Sequence, residues 1–142
     1  MAQTAESKYL PEKYLRLGLL FCPIAVVLFG AGVGAAAAAL LNRPVHPLEM
    51  LVAAGISIIV GLFAVLPMAI MIGRGGVMLL RCATLANMAR LVGVGIGGVV
   101  AVTVLPRDAH KMALILWLVG FYFLLLIGES VVSSWVMKHS RM

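Results

Sequence analysis

Charged side chains are scarce in this chain of 142 residues: they make up 11% of it, while 63% of the residues are hydrophobic. A soluble globular domain is typically about one-quarter charged and about half apolar. Too few polar side chains remain here to cover a water-facing surface. The composition therefore excludes an ordinary soluble domain and favours lipid as the solvent.

Side chains that carry chemistry are also few, with two cysteines, three histidines and five carboxylates. No cysteine or histidine pair has metal-ligand spacing, and the glycines lie inside apolar segments rather than in a phosphate or dinucleotide loop. His46, His110 and His139 fall at segment edges, which is typical of solvated loop histidines. We therefore expect no enzyme activity, cofactor or metal; a divalent cation stays open as an alternative, although nothing in the sequence supports one.

Four apolar stretches are long enough to cross a bilayer, whose core of roughly 30 Å needs about 20 helical residues. They cover residues 17–41, 48–72, 77–105 and 112–137. Short breaks with proline or glycine separate them, so consecutive segments run antiparallel. The sequence predicts an all-α membrane bundle of four transmembrane helices. A polar segment at 1–16 precedes this bundle, and a basic tail at 138–142 follows it.

The net charge of +6 would indicate nucleic acid for a soluble protein, but the basic residues here flank apolar segments. One side of the predicted bundle carries Lys8, Lys13, Arg16, Arg74, Lys138 and Arg141. The opposite side carries Arg43, Arg107 and Lys111. The positive-inside rule then predicts that both termini are cytoplasmic and that lipids, not nucleic acids, are the partners. Cys22 and Cys82 would lie toward the reducing side, and we expect free thiols.

Small residues recur at four-residue spacing in the first and third segments. Gly30 pairs with Gly34, and Gly93 pairs with Gly97. Such pairs let helix backbones approach closely in a membrane. Two interpretations stay open: packing within one bundle, or a docking face for another membrane subunit, including a second copy of this chain.

Two ionisable residues fall at bilayer depth, where each costs about 3 kcal/mol or more and needs a partner or water. Glu129 lies deep in the fourth segment and Arg90 lies deep in the third. In an ideal antiparallel hairpin their depths differ by about 3 Å of helix rise, whereas Arg81 is roughly 10 Å from the depth of Glu129. We therefore expect an Arg90–Glu129 ion pair. It either fixes the register of the hairpin or also contacts a partner protein or an ion.

Two further polar residues accompany this predicted pair. Asn87 lies one helical turn from Arg90 and could add a hydrogen bond. Arg81 lies nine residues before Arg90, on the opposite helix face, and we expect it to reach the cytoplasmic headgroups.

The second hairpin resembles a known family. Residues 85–93 (LANMARLVG) open a helix with a small-residue face and an early arginine, and residues 117–129 (WLVGFYFLLLIGE) form an aromatic-rich helix that ends on a carboxylate. This pattern resembles the bacterial ATP synthase protein I family, over roughly residues 80–137. Those are small four-helix accessory proteins of the bacterial inner membrane.

The resemblance implies a function and a pair of residues. The family has a basic residue early in helix three and a late acidic residue in helix four, which here would be Glu129 and either Arg90 or Arg81. Its members are implicated in assembling or stabilising the rotor ring of c subunits and are linked to divalent-cation supply. The resemblance thus implies a non-catalytic accessory protein with rotor c subunits as partners.

Three rival functions stay open. A rotor-type proteolipid also has glycine-rich helices one and three and a carboxylate in helix four, but a mid-depth Arg90 and cytoplasmic termini argue against it. A small ion or proton transporter or channel would use Glu129 as its site. A structural subunit of another membrane complex is the third. The partner of Glu129 distinguishes a scaffold from a transporter. A salt bridge within the chain favours a scaffold, whereas a Glu129 side chain that faces a cavity of an oligomer favours transport.

Overall fold

Four long helices make up the fold. The computed structural model describes residues 11–72, 74 and 76–139. In chain order the helices are α1 (Glu12–Leu40), α2 (Pro47–Met71), α3 (Gly76–Val104) and α4 (Lys111–His139). This confirms the all-α, four-helix architecture. Residues 1–10 and 140–142, which belong to the predicted polar N-terminal segment and basic tail, lie outside the described residues.

The observed helices differ from the predicted segments mainly at the start of α1. It begins at Glu12, five residues before the predicted position 17, directly after Pro11. Arg16 and Glu12 form an exposed i,i+4 ion pair at 3.4 Å within the first turn. The helix extends beyond the apolar run because a helical turn of polar residues stabilised by such pairs is possible outside lipid. Hydropathy marks the apolar part of a helix and not its first residue.

The outer surface of the bundle carries many large apolar side chains. All four helices are long and apolar enough to cross a membrane. At most 33% of any apolar window is buried inside the bundle, so most apolar side chains point outward. Phe29 and Phe63 are 71% and 72% exposed, among many large apolar side chains of this kind. A continuous apolar exterior of this extent is suited to lipid rather than water.

Close glycine contacts join α1 to α4. A Cβ atom added at Gly30 would lie 2.5 Å from Cδ1 of Leu124, and one added at Gly34 would lie 2.6 Å from the Trp117 ring. As the residue number rises on α1 it falls on α4, so the two helices are antiparallel.

Helices α3 and α2 meet in the same way. A Cβ atom at Gly93 would lie 2.8 Å from Val60, and one at Gly97 would lie 2.6 Å from Ile56. All four glycines selected from the sequence thus face neighbouring helices of this chain. Their role in the structure is internal packing, which lets the backbones approach without cavities.

The core consists of two apolar clusters at different heights. The termini-end cluster contains Leu15, Leu19, Ala64, Val65, Met68, Ile72, Leu79, Ala86 and Val136. The loop-end cluster, near the α1–α2 and α3–α4 loops, contains Val27, Ala53, Ala101, Leu114, Leu118, Phe121 and Leu125. Along α4 the residue that separates the two clusters is Glu129, and along α3 it is Arg90. A polar layer therefore divides the core.

Candidate functional site

The polar layer is built around an ion pair between α3 and α4. The guanidinium of Arg90 donates a hydrogen bond from Nη2 to Oε2 of Glu129. Arg90 is fully buried and Glu129 is 5% exposed. Nη1 of Arg90 also donates to Oδ1 of Asn87, 3.3 Å away on the preceding turn of α3. The structure thus brings together Arg90, Glu129 and Asn87, three of the four polar residues selected from the sequence.

Because the pair is buried in the core, each charged side chain needs the other one. Removing a guanidinium or a carboxylate from water costs several kcal/mol, and only close opposite charge and hydrogen bonds compensate for this. Cys22, a buried free thiol on α1, lies within electrostatic range of both groups. Helices α1, α3 and α4 thus all contribute polar atoms at this height of the core.

The pair does not use all of its hydrogen-bonding capacity. Among the described residues, Nε of Arg90 and Oε1 of Glu129 are buried with no hydrogen-bond partner, as is Oγ of Ser57 on α2. A buried polar atom usually has a partner, either protein or water. The free carboxylate oxygen therefore leaves Glu129 able to accept a further hydrogen bond or to hold a proton.

A half-open cavity of about 200 Å³ reaches Glu129 from the termini end. Its walls come from α2, α3 and α4. They are Met68, Leu80, Ala83, Asn87, Leu126, Glu129, Ser130, Ser133, Ser134 and Met137. A cavity of this size can hold several water molecules, because one water needs only about 30 Å³ of liquid volume. Glu129 is thus both paired inside the chain and adjacent to a polar opening.

Two of the cavity serines bond to their own helix. Oγ of Ser130 donates to the carbonyl of Leu126 at 2.7 Å, and Oγ of Ser134 donates to the carbonyl of Ser130 at 2.8 Å. Such back-bonding satisfies the hydroxyl proton and still leaves the oxygen lone pairs facing the cavity. The serines make the wall polar without bonding directly to the ion pair.

Arg81 stands apart from this arrangement. Its side chain is exposed, and Glu129 bonds to Arg90 rather than to Arg81 in the described part of the chain. The register argument from the sequence therefore selected the arginine that the structure pairs. An exposed position near the start of α3 suits the expected reach of Arg81 toward headgroups.

A second polar cluster, at the loop end, was missed by the sequence reasoning. His46, Glu49 and His110 each offer one ligand atom, and these atoms all lie within 4.8 Å of one another. His46 and Glu49 come from the start of α2, whereas His110 ends the α3–α4 loop. The spacing from His46 to Glu49 was visible in the sequence. Its third member is 61 residues after Glu49, and only the packing of the two loops brings it near.

The fold and its polar layer define a class: a small bundle of four apolar helices, held at mid-height by one buried ion pair. Comparisons of the chain with protein-family models, with curated proteins and with solved structures find no match.

Proposed function

We propose that this protein is a non-catalytic, multi-pass accessory protein of the bacterial inner membrane, with both termini in the cytoplasm. Its role would be to help assemble or stabilise the rotor ring of an ATP synthase. The observation that carries the proposal is the pairing of Glu129 with Arg90 of the same chain. A carboxylate held by a neighbouring helix is suited to a fixed scaffold.

The same pair argues against a rotor-type proteolipid. A rotor carboxylate has to release and bind its ion during each turn, which a permanent guanidinium partner opposes through charge and hydrogen bonding. Arg90 is fully buried at the level of Glu129, so it does not leave the carboxylate without a large movement of α3. The chain therefore suits a protein that attends the ring better than a subunit within it.

The contact with rotor helices would use outward faces of the bundle. Gly30, Gly34, Gly93 and Gly97 already pack against this chain's own helices. Gly95 instead faces open space and lines a shallow apolar groove of about 380 Å³ between α3 and α4. A glycine on a lipid-facing groove permits close approach of a small-residue helix from another subunit.

Co-purification tests this function. The tagged full chain, extracted in a mild detergent from cells that express the ATP synthase, should carry c subunits with it as assembled ring or ring intermediate. Gly95→Leu should reduce the recovered c subunit, whereas Leu116→Ala, at an exposed α4 position, should not. Repeated recovery of the chain with an unrelated complex, and without c subunits, would contradict the proposal.

A small ion or proton transporter is the second candidate, and a specific observation favours it. The cavity at the termini end reaches Glu129, whose Oε1 has no hydrogen-bond partner. Water in that cavity could deliver a proton to this oxygen. Purified protein in liposomes with an internal pH dye discriminates the two functions. Proton flux that is lost in Glu129→Gln supports transport and counts against the scaffold.

A further inference from the structure

The cluster at the loop end contains two imidazoles and one carboxylate, which is a set of metal-ligating groups. We propose that His46, Glu49 and His110 bind a divalent transition-metal ion, with Zn²⁺ the ion that suits them best. Their ligand atoms lie within 4.8 Å of one another, so small side-chain rotations bring all three onto one ion. Zinc bonds to His nitrogen and carboxylate oxygen at about 2.0–2.2 Å.

The three side chains lie close together and contact one another. The rings of His46 and His110 have their centroids 4.0 Å apart, at an interplanar angle of 37°. Glu49 is 5% exposed, and its Oε1 accepts a hydrogen bond from the backbone N–H of His110 at 2.8 Å. This bond orients the carboxylate within the cluster. Hydrogen bonds that orient a ligand in this way strengthen metal sites.

The types of ligand select the metal. Imidazole nitrogen suits Zn²⁺, Cu²⁺ and Ni²⁺, whereas Mg²⁺ and Ca²⁺ prefer sets made entirely of oxygen. Three protein ligands leave one tetrahedral position open for water or an external ligand. His46 and His110 line a groove of about 620 Å³, which Arg43 and Lys111 also line. Their positive charge lowers the affinity for a cation and favours an anion as the fourth ligand.

A metal here would join the α1–α2 and α3–α4 loops, which the hydrogen bond from His110 to Glu49 already connects. His46 and Glu49 belong to the start of α2, and His110 immediately precedes α4. An ion bound to all three would fix the start of α2 to that of α4. Because an ion that binds only the folded chain stabilises it by mass action, added Zn²⁺ should raise the unfolding temperature.

The experiment is a Zn²⁺ titration of the full chain in detergent, in which isothermal calorimetry measures the affinity and the stoichiometry. The protein carries a tag without histidine and is first stripped with a chelator. Wild type should bind one equivalent of Zn²⁺. His46→Ala, His110→Ala and Glu49→Gln should each weaken binding at least about tenfold, because each removes a ligand or its charge. Glu49→Gln keeps an oxygen that accepts the His110 amide.

Two matched controls should leave the affinity unchanged. Asp108→Asn removes an exposed carboxylate from the same loop, and His139→Ala removes a histidine at the far end of α4. Circular dichroism of the metal-free variants establishes that each still folds.

Co²⁺ added to wild type gives a second readout that needs no variant. Three protein ligands and one open position should produce the intense visible absorption of four-coordinate Co²⁺, and Zn²⁺ should abolish it. Absence of one-equivalent Zn²⁺ binding, equal affinity in all variants, or only the weak spectrum of six-coordinate Co²⁺ would overturn the proposal.

Discussion

Glu49 and Glu129 are equally buried, at 5% exposure each, yet they meet different partners. Glu129 faces a full positive charge on α3, at the height where the two apolar clusters of the core meet. Glu49 lies in the first turn of α2 and accepts a backbone amide of the α3–α4 loop. The extent of burial is therefore not what distinguishes the two sites; the partner is.

The difference follows from what each position supplies. The first turn of a helix offers unpaired N–H groups and a positive dipole end, which stabilise a carboxylate without a counter-ion. The middle of a helix offers neither, because its backbone groups are bonded to one another. A mid-helix carboxylate in an apolar bundle thus needs a cation from another helix, and Arg90 provides it.

Loss of one partner at mid-height should produce the largest effect. Arg90→Ala leaves the Glu129 carboxylate buried and unpaired, so we expect the free energy of unfolding to fall by about 3–5 kcal/mol. Unfolding in mixed micelles with increasing dodecyl sulfate, followed by circular dichroism, measures this. Arg81→Ala, an exposed arginine on the same helix, should change it by less than about 0.5 kcal/mol. Equal losses for both arginines would remove the distinction between a buried and an exposed charge.

Packing at the loop end should give the next largest effect. Gly34→Ala places a methyl group 2.6 Å from the Trp117 ring, which is too rigid to move without cost. We expect a loss of about 1–3 kcal/mol from this overpacking, measured by the same unfolding assay. Gly32→Ala is the matched control, because nothing lies within 4 Å of its added carbon. If both alanines are tolerated alike, α1 and α4 do not pack closely here.

Removal of the loop-end carboxylate should cost less than removal of Arg90. Glu49→Ala deletes the acceptor of the His110 amide, and a hydrogen bond to a charged group contributes about 1.5–3 kcal/mol. In metal-free protein we expect a loss near the lower end of that range, since the donor is a neutral backbone N–H and not a charged group. Glu49→Gln should recover part of it through its amide oxygen. A loss for Glu49→Ala as large as that for Arg90→Ala would contradict the contrast between the two carboxylates.

The smallest expected effect is at Asn87. Its Oδ1 accepts a hydrogen bond from Nη1 of Arg90 at 3.3 Å, and the Asn87 side chain is exposed. Asn87→Ala should therefore cost no more than about 1 kcal/mol in the unfolding assay. Asn87→Asp adds a second carboxylate near the guanidinium and should stabilise more than alanine does. A loss comparable to that of Arg90→Ala would mean that Asn87, and not Glu129, is the main partner.

Much of the fold could be predicted from the sequence, for identifiable reasons. Long apolar runs between prolines and glycines specify four antiparallel helices, and antiparallel register alone pairs Arg90 with Glu129. The first turn of α1 was missed because Glu12 and Arg16 are polar. Which helix each glycine faces was also beyond the sequence, since the small-residue spacing in α1 and α3 is compatible with either an internal or an external partner.

The loop-end cluster was harder to predict for a physical reason. His46 and Glu49 are three residues apart and could have been noticed together. His110 joins them only because the α1–α2 and α3–α4 loops lie at the same end of the bundle and contact each other. The spacing of residues along the chain does not predict that contact between loops. The depth of residues in an antiparallel hairpin, by contrast, does predict the contact between Arg90 and Glu129.

The central claim is that opposite charges on α3 and α4 hold each other inside the apolar bundle. A double-mutant cycle of Arg90→Ala and Glu129→Ala, measured as the free energy of unfolding in mixed micelles, tests it most directly. We predict that the double variant loses less stability than either single variant, so that the coupling energy exceeds the single-variant loss of about 3–5 kcal/mol. Strictly additive losses would contradict the account, because they would mean that the two side chains do not interact in the folded protein.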